Sequence, residues 1–123
     1  MKYLGVDYGT KRIGVAVSDD AGRVAFPLTT IAAGPEALSD VDALIKKNHA
    51  RQVVVGESRN FKGEANAVME DIEQFKKDLE ELCGLKVVYE PEFLTSALAE
   101  RSGGDDSSAA ALILQSFLDK MNT

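Results

Sequence analysis

The sequence predicts an α/β fold in which a mixed five-stranded sheet is flanked by helices. Two observations carry this prediction. Residues 3–31 contain three apolar segments separated only by short turns, which is typical of an antiparallel meander. From residue 35 onward, apolar residues at helical spacing alternate with short apolar runs, which is typical of parallel strands joined by helices.

The predicted meander consists of strands over residues 3–8, 12–18 and 23–31. The first strand is a continuous apolar run apart from one acidic residue. A strong turn signal, Asp19 to Gly22, separates the second strand from the third. The third strand alternates apolar and polar positions and is interrupted by Pro27.

The rest of the chain alternates helices with two short apolar strands. Helices are predicted over residues 35–48, 64–83, 94–100 and 106–120. Parallel strands are predicted over residues 52–56 and 85–89, and Gly84 is placed to cap the helix before the second of them. The predicted order is therefore βββαβαβαα.

Length and composition indicate one globular domain spanning residues 1–123, with 45% hydrophobic residues. Cys83 is the only cysteine, so no internal disulfide and no cysteine-rich metal site can form, and it is predicted to be a small core residue. The N-terminus has no apolar signal-peptide region, and no apolar run approaches the roughly 18 residues of a membrane span. A cytoplasmic protein without a membrane partner is expected.

The net charge of −6 argues against a broadly basic surface of the kind that many nucleic-acid-binding proteins present. It does not exclude nucleic acid as a partner, because a metal-dependent nuclease concentrates carboxylates at one site and bound divalent ions then supply positive charge. Such a protein must bind through a local basic patch, and its affinity should be sensitive to salt.

Three acidic residues lie where predicted elements begin or end. Asp7 is near the end of the first strand, Glu92 follows the fifth strand, and Asp106 opens the last helix. The first, fourth and fifth strands can be neighbours, so their ends would converge. Clustered carboxylates repel by up to about 4 kcal/mol for a pair 4 Å apart at moderate dielectric. A cluster of this kind is therefore expected to bind Mg²⁺ or Mn²⁺.

Each carboxylate also has an ordinary structural interpretation. Taken alone, Asp7 could cap a turn, and Asp106 could be a helix N-cap. Glu90 and Asp105 are additional, weaker candidates for the same cluster.

Four segments of the chain carry a more specific pattern: Gly5 to Asp19, Val53 to Gly56 with the later Gly63, Glu92 to Ser96, and Asp106 to Gln115. In this order they resemble the signature segments of the YqgF family, the Holliday-junction-resolvase-like pre-16S rRNA nucleases. The resemblance covers nearly the whole chain. It implies an RNase H-like fold and a hydrolase that cleaves phosphodiester bonds with Mg²⁺ or Mn²⁺.

By this resemblance Asp7, Glu92 and Asp106 are the catalytic, metal-binding carboxylates. The expected substrate is precursor 16S rRNA, processed at its 5′ end during ribosome biogenesis, with the ribosome as a possible further partner. A four-way DNA junction is the alternative substrate. The chain is expected to be a monomer or a homodimer.

Two departures from the family pattern affect substrate contacts. The family has an Asp directly before its Glu and an Arg directly after it, whereas this chain has Pro91 and Phe93. The missing Arg removes a bidentate phosphate donor. The family's Leu-Pro after its central glycine is replaced here by Glu57-Ser58-Arg59. A catalytically weak nucleic-acid-binding or ribosome-associated module is therefore a third hypothesis.

Five residues are candidate substrate contacts: Lys11, Arg12, Arg59, Lys62 and Thr95. Each of the four cations could equally be a solvated surface charge, and Thr95 could cap a helix instead. His49, at the end of a predicted helix, is expected to be a surface residue. The turn after Asp7 also resembles the first phosphate-binding motif of actin-like ATPases and sugar kinases, but 123 residues leave no room for that two-domain fold.

Overall fold

The computed structural model describes residues 1–57, 69–91 and 106–122. Five strands and three helices lie in these residues: β1 (Tyr3–Tyr8), β2 (Arg12–Ser18), β3 (Ala25–Ala32), α1 (Ala37–Asn48), β4 (Gln52–Glu57), α2 (Met69–Cys83), β5 (Val87–Pro91) and α3 (Asp106–Met121). Their order agrees with the prediction, and the predicted helix over 94–100 lies outside the described residues. Within those residues no helix has the length and apolar character that crossing a membrane requires.

The strands form one sheet in the order β3-β2-β1-β4-β5. The β1–β2 and β2–β3 pairs are antiparallel, and the β1–β4 and β4–β5 pairs are parallel. The predicted mixed sheet is therefore confirmed. Because β1, β4 and β5 run in the same direction, their carboxyl ends lie at the same edge of the sheet.

Alternation along β1 sends successive side chains to opposite faces of the sheet. Leu4 and Val6 belong to the larger core cluster, which is formed with α1 and α2. Tyr3 belongs to a smaller cluster on the other face, formed with α3. Burial of each large apolar side chain contributes roughly 1.5–3 kcal/mol, so both faces of the sheet are held by substantial apolar contact.

A glycine allows α3 to pack closely on its face of the sheet. A Cβ added at Gly5 would lie 2.8 Å from Leu114 Cβ and 3.1 Å from the Ala110 carbonyl oxygen. The absence of a side chain at this position therefore brings the helix backbone near β1.

Several predicted element ends were wrong by one or two residues. β3 begins at Ala25 because the backbone N–H groups of Arg23 and Val24 donate to Asp19 Oδ1, at 2.8 and 3.2 Å, rather than to a strand. β5 begins and ends two residues later than predicted, because its pairing with β4 runs from Val87 to Pro91. α1 begins at residue 37, and Glu57 extends β4 by one residue.

Pro27, which was expected to interrupt the third strand, pairs with Ala16 inside β3. A proline is tolerated there because β3 is an edge strand, where a missing N–H donor need not break a ladder. The pairing of β2 with β3 shifts register immediately beside this contact, since Val15 pairs with Thr29 and Ala16 pairs with Pro27.

The two predicted helix ends are confirmed in detail. Gly84 follows α2 with φ of 72°, and its N–H donates to the Glu80 carbonyl oxygen at 3.0 Å. His49 ends α1 in the left-handed conformation with φ of 58° and is exposed, as expected of a surface residue. Cys83 is half-buried and packs against the larger cluster from its margin.

Candidate active site at the carboxyl end of β1

Asp7 lies at the penultimate position of β1 and is half-buried. It pairs with Gly14 of β2, and directly opposed residues of an antiparallel pair share a face. Gly5, two residues earlier on β1, faces α3. Asp7 is therefore on the α3 face of the sheet, at the edge where the parallel strands end.

Asp106, the first residue of α3, lies next to the strand pair that holds Asp7. A Cβ added at Gly14 would lie 1.8 Å from the Asp106 carbonyl oxygen and 2.9 Å from the Ser107 nitrogen. The first turn of α3 therefore rests directly on the residue opposite Asp7. The structure brings together two of the three predicted catalytic carboxylates, one from a strand end and one from a helix start.

Arg12 forms an ion pair with one of these carboxylates. Its Nε donates to Asp106 Oδ2 at 2.7 Å, and the two side chains are 69% and 32% exposed. At this exposure the pair contributes up to about 1 kcal/mol to stability. Arg12, predicted as a phosphate contact, is thus placed at the carboxylates with its charge partly compensating that of Asp106.

The turn between β1 and β2 holds Arg12 beside the Asp7 strand. A Cβ added at Gly9 would lie 2.5 Å from the Arg12 carbonyl oxygen, so only glycine fits this close approach of backbone. Lys11 is exposed in the same turn, and its carbonyl oxygen accepts a hydrogen bond from the Ala33 N–H at 3.0 Å. Lys11 and Arg12 therefore come from one short segment next to the end of β1, and Arg12 contacts Asp106.

The remaining predicted site residues, Glu92, Arg59, Lys62 and Thr95, lie outside the described residues, as does Asp105. Glu92 directly follows Pro91, the last residue of β5. β5 ends at the same sheet edge as β1, because both strands run parallel to β4. Among the described residues, no group of three or more His, Cys, Asp or Glu side chains is placed to hold a metal ion.

Glu90 has a different role from the one considered for it. The residue is 3% exposed, and its Oε2 accepts hydrogen bonds from Ser116 Oγ at 2.7 Å and from Lys120 Nζ at 2.6 Å. Those partners lie about 15 and 21 Å along α3 from Asp106, at 1.5 Å per residue. Glu90 therefore ties β5 to the second half of the helix and is a structural anchor.

One polar residue of this region was not predicted. Thr30 on β3 pairs with Gly14, which places it on the α3 face in the same row as Asp7. Its Oγ1 is buried and has no hydrogen-bond partner among the residues that the structure describes. No signal in the sequence could have found Thr30, because its position depends on the register between β2 and β3.

Residues 1–120 match the model of a protein family described as "RuvX: Holliday junction resolvase". The chain belongs to this family. A relative from Carboxydothermus hydrogenoformans is 35% identical over 97% of this chain and 96% of its own length. A relative from Shouchella clausii is 36% identical over 99% of this chain and 97% of its own length. Both bear the name "Putative pre-16S rRNA nuclease". The family resemblance inferred from the sequence is confirmed.

Solved structures of resolvases share the fold of this RuvX-family chain. RuvC of Thermus thermophilus matches with a TM-score of 0.61 at 16% identity, covering 100% of this chain and 98% of RuvC. The Fowlpox virus resolvase, solved with Holliday junction DNA, matches with a TM-score of 0.62 at 13% identity and covers 100% of both chains. Identities this low show the fold alone, which is RNase H-like as the resemblance implied.

Proposed function

We propose that this RuvX-family protein is a metal-dependent nuclease that hydrolyses phosphodiester bonds at the carboxyl end of β1. The observation that carries the proposal is that the backbone of Asp106 packs against Gly14, the residue that pairs with Asp7 across the two strands. Carboxylates on one face repel each other and favour a bound cation, and the proposed third, Glu92, follows a strand that ends at the same edge.

The donor set fits a hard divalent cation. Asp7 and Asp106 offer carboxylate oxygens, which Mg²⁺ and Mn²⁺ prefer, and we propose that they hold the ion together with Glu92. When bound, the ion would supply activation of a water molecule and neutralisation of the charge that develops on the phosphate. The Asp106 pair with Arg12 shows that this carboxylate is already compensated by positive charge.

Arg12 and Lys11 are proposed to contact the substrate backbone. The Arg12 side chain is mostly exposed, so its guanidinium can turn from Asp106 to a phosphate without a large desolvation cost. Lys11 is exposed in the same turn and adds a second cation on the approach to Asp7. Their positions give an acidic protein a local basic patch beside its carboxylates. Arg59, Lys62 and Thr95 remain proposed contacts from the neighbouring loops.

The proposed substrate is precursor 16S rRNA, cleaved at or near its 5′ end in the cytoplasm during ribosome biogenesis. The names of the relatives from C. hydrogenoformans and S. clausii support this choice. The second candidate is a four-way DNA junction, which is supported by the description of the family model. A binding module with little activity is the third, because Phe93 stands where the family has an arginine.

The test compares cleavage of a precursor 16S rRNA fragment, an unrelated single-stranded RNA and a four-way DNA junction with Mn²⁺, with Mg²⁺ and with a chelator. Asp7→Asn and Asp106→Asn remove one ligand charge each. Asp40→Asn is the matched control, because Asp40 is an exposed carboxylate on α1. We expect metal-dependent cleavage of the precursor that falls by at least about 100-fold in the two site variants and is unchanged in the control.

The alternatives give distinct results. Cleavage of the junction alone would identify a resolvase, and binding of RNA without cleavage by the wild-type protein would identify a binding module. Wild-type activity in Asp7→Asn would end the proposal that Asp7 lies at the reaction centre.

A further inference from the structure

β3 has an open edge on the side away from β2. It is the first strand in the order β3-β2-β1-β4-β5, and among residues 1–57, 69–91 and 106–122 only β2 pairs with it. The Ala33 N–H donates to the Lys11 carbonyl oxygen, toward β2. Because backbone groups alternate along a strand, the N–H and carbonyl groups of Thr30 and Ala32 point away from β2. These groups can pair with a strand that is added at this edge.

The second half of β3 lacks the features that usually protect an edge strand. Natural edge strands are protected by charged side chains, proline or bulges. Pro27 and the register shift beside it protect the first half of β3. From Thr29 to Ala32 the strand has neither a charged residue nor a proline. This half is therefore suited to pairing with another strand.

A groove of about 410 Å³ runs along the same edge, on the α1 face of the sheet. Its walls come from β3 and from one side of α1, and its lining residues are Thr29, Ile31, Asp40, Ala43, Leu44 and Lys47. A strand that pairs with β3 would direct every second side chain toward this groove. The open strand edge and the groove therefore form one surface.

Two opposite charges border the groove, and neither has an ion-pair partner in the part of the chain that the structure describes. Asp40 and Lys47 are exposed on α1, and their spacing of seven residues puts them about 10.5 Å apart on the same side of the helix. α1 runs antiparallel to β3, because it connects β3 to β4 and these two strands are parallel. The groove also contains Thr29 and Ile31, so the midpoint of the two charges lies near the level of Thr30.

We propose that a second copy of this chain binds this surface, with β3 antiparallel to β3 about a twofold axis at Thr30. The Thr30 N–H of each copy donates to the Thr30 carbonyl oxygen of the other, and the two sheets become continuous. The axis places Thr29 of one copy opposite Ile31 of the other on the α1 face. It also makes the two α1 helices antiparallel, so Asp40 of each copy faces Lys47 of the other.

The two charges favour a second copy over an unrelated extended peptide. A twofold contact uses the same surface patch on both chains, so that patch must be its own complement. An acidic and a basic residue at equal distances on either side of the axis satisfy this condition, and they form two ion pairs from one pair of residues. Binding of an extended peptide would require no such relation between Asp40 and Lys47.

The dimer does not rest on the proposed nuclease activity. Each chain has its own Asp7 and Asp106, which lie on the α3 face of the sheet, whereas α1 packs on the other face. Asp40→Asn should therefore weaken the dimer and leave cleavage per chain unchanged. Failure of the dimer and failure of the nuclease are thus separate results.

Sedimentation equilibrium of the whole protein, without metal or nucleic acid, measures the association. At chain concentrations up to about 200 µM we expect a dimer with a dissociation constant on the order of 10–100 µM, because a short strand pairing gives a small interface. Lys47→Glu and Asp40→Lys should each weaken the dimer by about tenfold, because each replaces two attractive pairs by two repulsive ones. Lys77→Glu, at an exposed lysine on α2, is the matched control and should dimerise as the wild type does.

An equimolar mixture of the Asp40→Lys and Lys47→Glu variants tests the twofold arrangement itself. In the mixed dimer both charge pairs are attractive again, because one chain carries two cations and the other two anions at these positions. The mixture should therefore associate about as tightly as the wild type, although each variant alone does not. A mixture that associates no better than its components would overturn the proposed pairing of Asp40 with Lys47.

Amide hydrogen exchange locates the contact on the chain. The Thr30 N–H points away from β2 in the single chain, so its exchange should slow by about threefold between dilute protein and about 200 µM. The Ile31 N–H, which points toward β2, is the internal control and should not change.

Three further results would overturn the proposal: a monomer at about 200 µM, equal weakening by Lys47→Glu and Lys77→Glu, or a dimer in which exchange at Thr30 is not slowed. A monomer whose Thr30 amide is protected only when an extended peptide is added would assign this edge to a foreign strand instead.

Discussion

Replacement of Gly14 by alanine should disable the proposed active site without removing any of its functional groups. The new Cβ would lie 1.8 Å from the Asp106 carbonyl oxygen and 2.2 Å from the Asp106 carbonyl carbon. Both are backbone atoms of the first turn of α3, so no side-chain rotation can relieve the contact. The helix start must move away from β2, and Asp106 must move with it.

The size of the movement follows from these distances. Real Cβ atoms almost never approach another heavy atom within 3.0 Å, so the first turn of α3 must shift by at least about 1.2 Å. A misplacement of about 1 Å at a catalytic group can cost about 100-fold in rate. Overpacking of this kind also lowers the free energy of unfolding by about 1–3 kcal/mol.

Metal-dependent cleavage and urea-induced unfolding should be measured side by side for three glycine variants. Gly5→Ala is a control for stability, because its Cβ would lie 2.8 Å from Leu114 Cβ in the middle of α3. Gly34→Ala is a neutral control, because no heavy atom lies within 4 Å of its added Cβ. We expect Gly14→Ala to lose far more activity than Gly5→Ala at comparable stability. Wild-type cleavage in folded Gly14→Ala would refute the placement of Asp106 at the reaction centre.

Two further predictions concern charge. Arg12→Gln should weaken RNA binding by about threefold to tenfold. It should also reduce the slope of the logarithm of the binding constant against the logarithm of salt concentration by about one, measured by fluorescence anisotropy. An unchanged slope would contradict a phosphate contact at Arg12. Asp19→Ala should destabilise the protein at neutral pH, because hydrogen bonds from the Arg23 and Val24 N–H groups lower the pKa of the Asp19 carboxyl below 3.8. A lowered folded pKa stabilises the native state above pH 3.8 and loses that effect as the pH falls through the folded value. The gap between the urea midpoints of wild type and variant should therefore narrow in acid, and a gap independent of pH would exclude this linkage.

The periodicity of the apolar residues was sufficient to predict the sheet and most of the strands and helices. The apolar runs of β1, β2 and β4 reproduce the observed strands almost to the residue, because burial leaves a direct mark on the residue types along the chain. The errors lie at the ends of β3, β5 and α1. The ends of β3 and β5 depend on specific contacts, such as the two backbone bonds to Asp19, which periodicity does not record.

At the candidate site, too, residue types predict some features and only tertiary contacts decide the others. Asp7 and Asp106 could be named as candidates from the sequence, since an acidic residue at the end of an apolar strand and another at a helix start stand out from their surroundings. The structure places both beside Gly14. The role of Glu90 could not be read from the sequence, because its partners Ser116 and Lys120 are brought to it only by the packing of α3. Thr30 was missed entirely, since its place beside Gly14 depends on the register between β2 and β3.

The sequence by itself predicted the order of the described elements, the family and a set of candidate carboxylates, because these depend on residue types and their spacing along the chain. Only the tertiary structure decided which of those groups meet. The absence of a side chain at Gly14 lets α3 rest on β2, and this contact between distant segments places Asp106 opposite Asp7 and within reach of Arg12. Register between strands and the approach of a helix are set by packing of the whole chain, so no local pattern contains them.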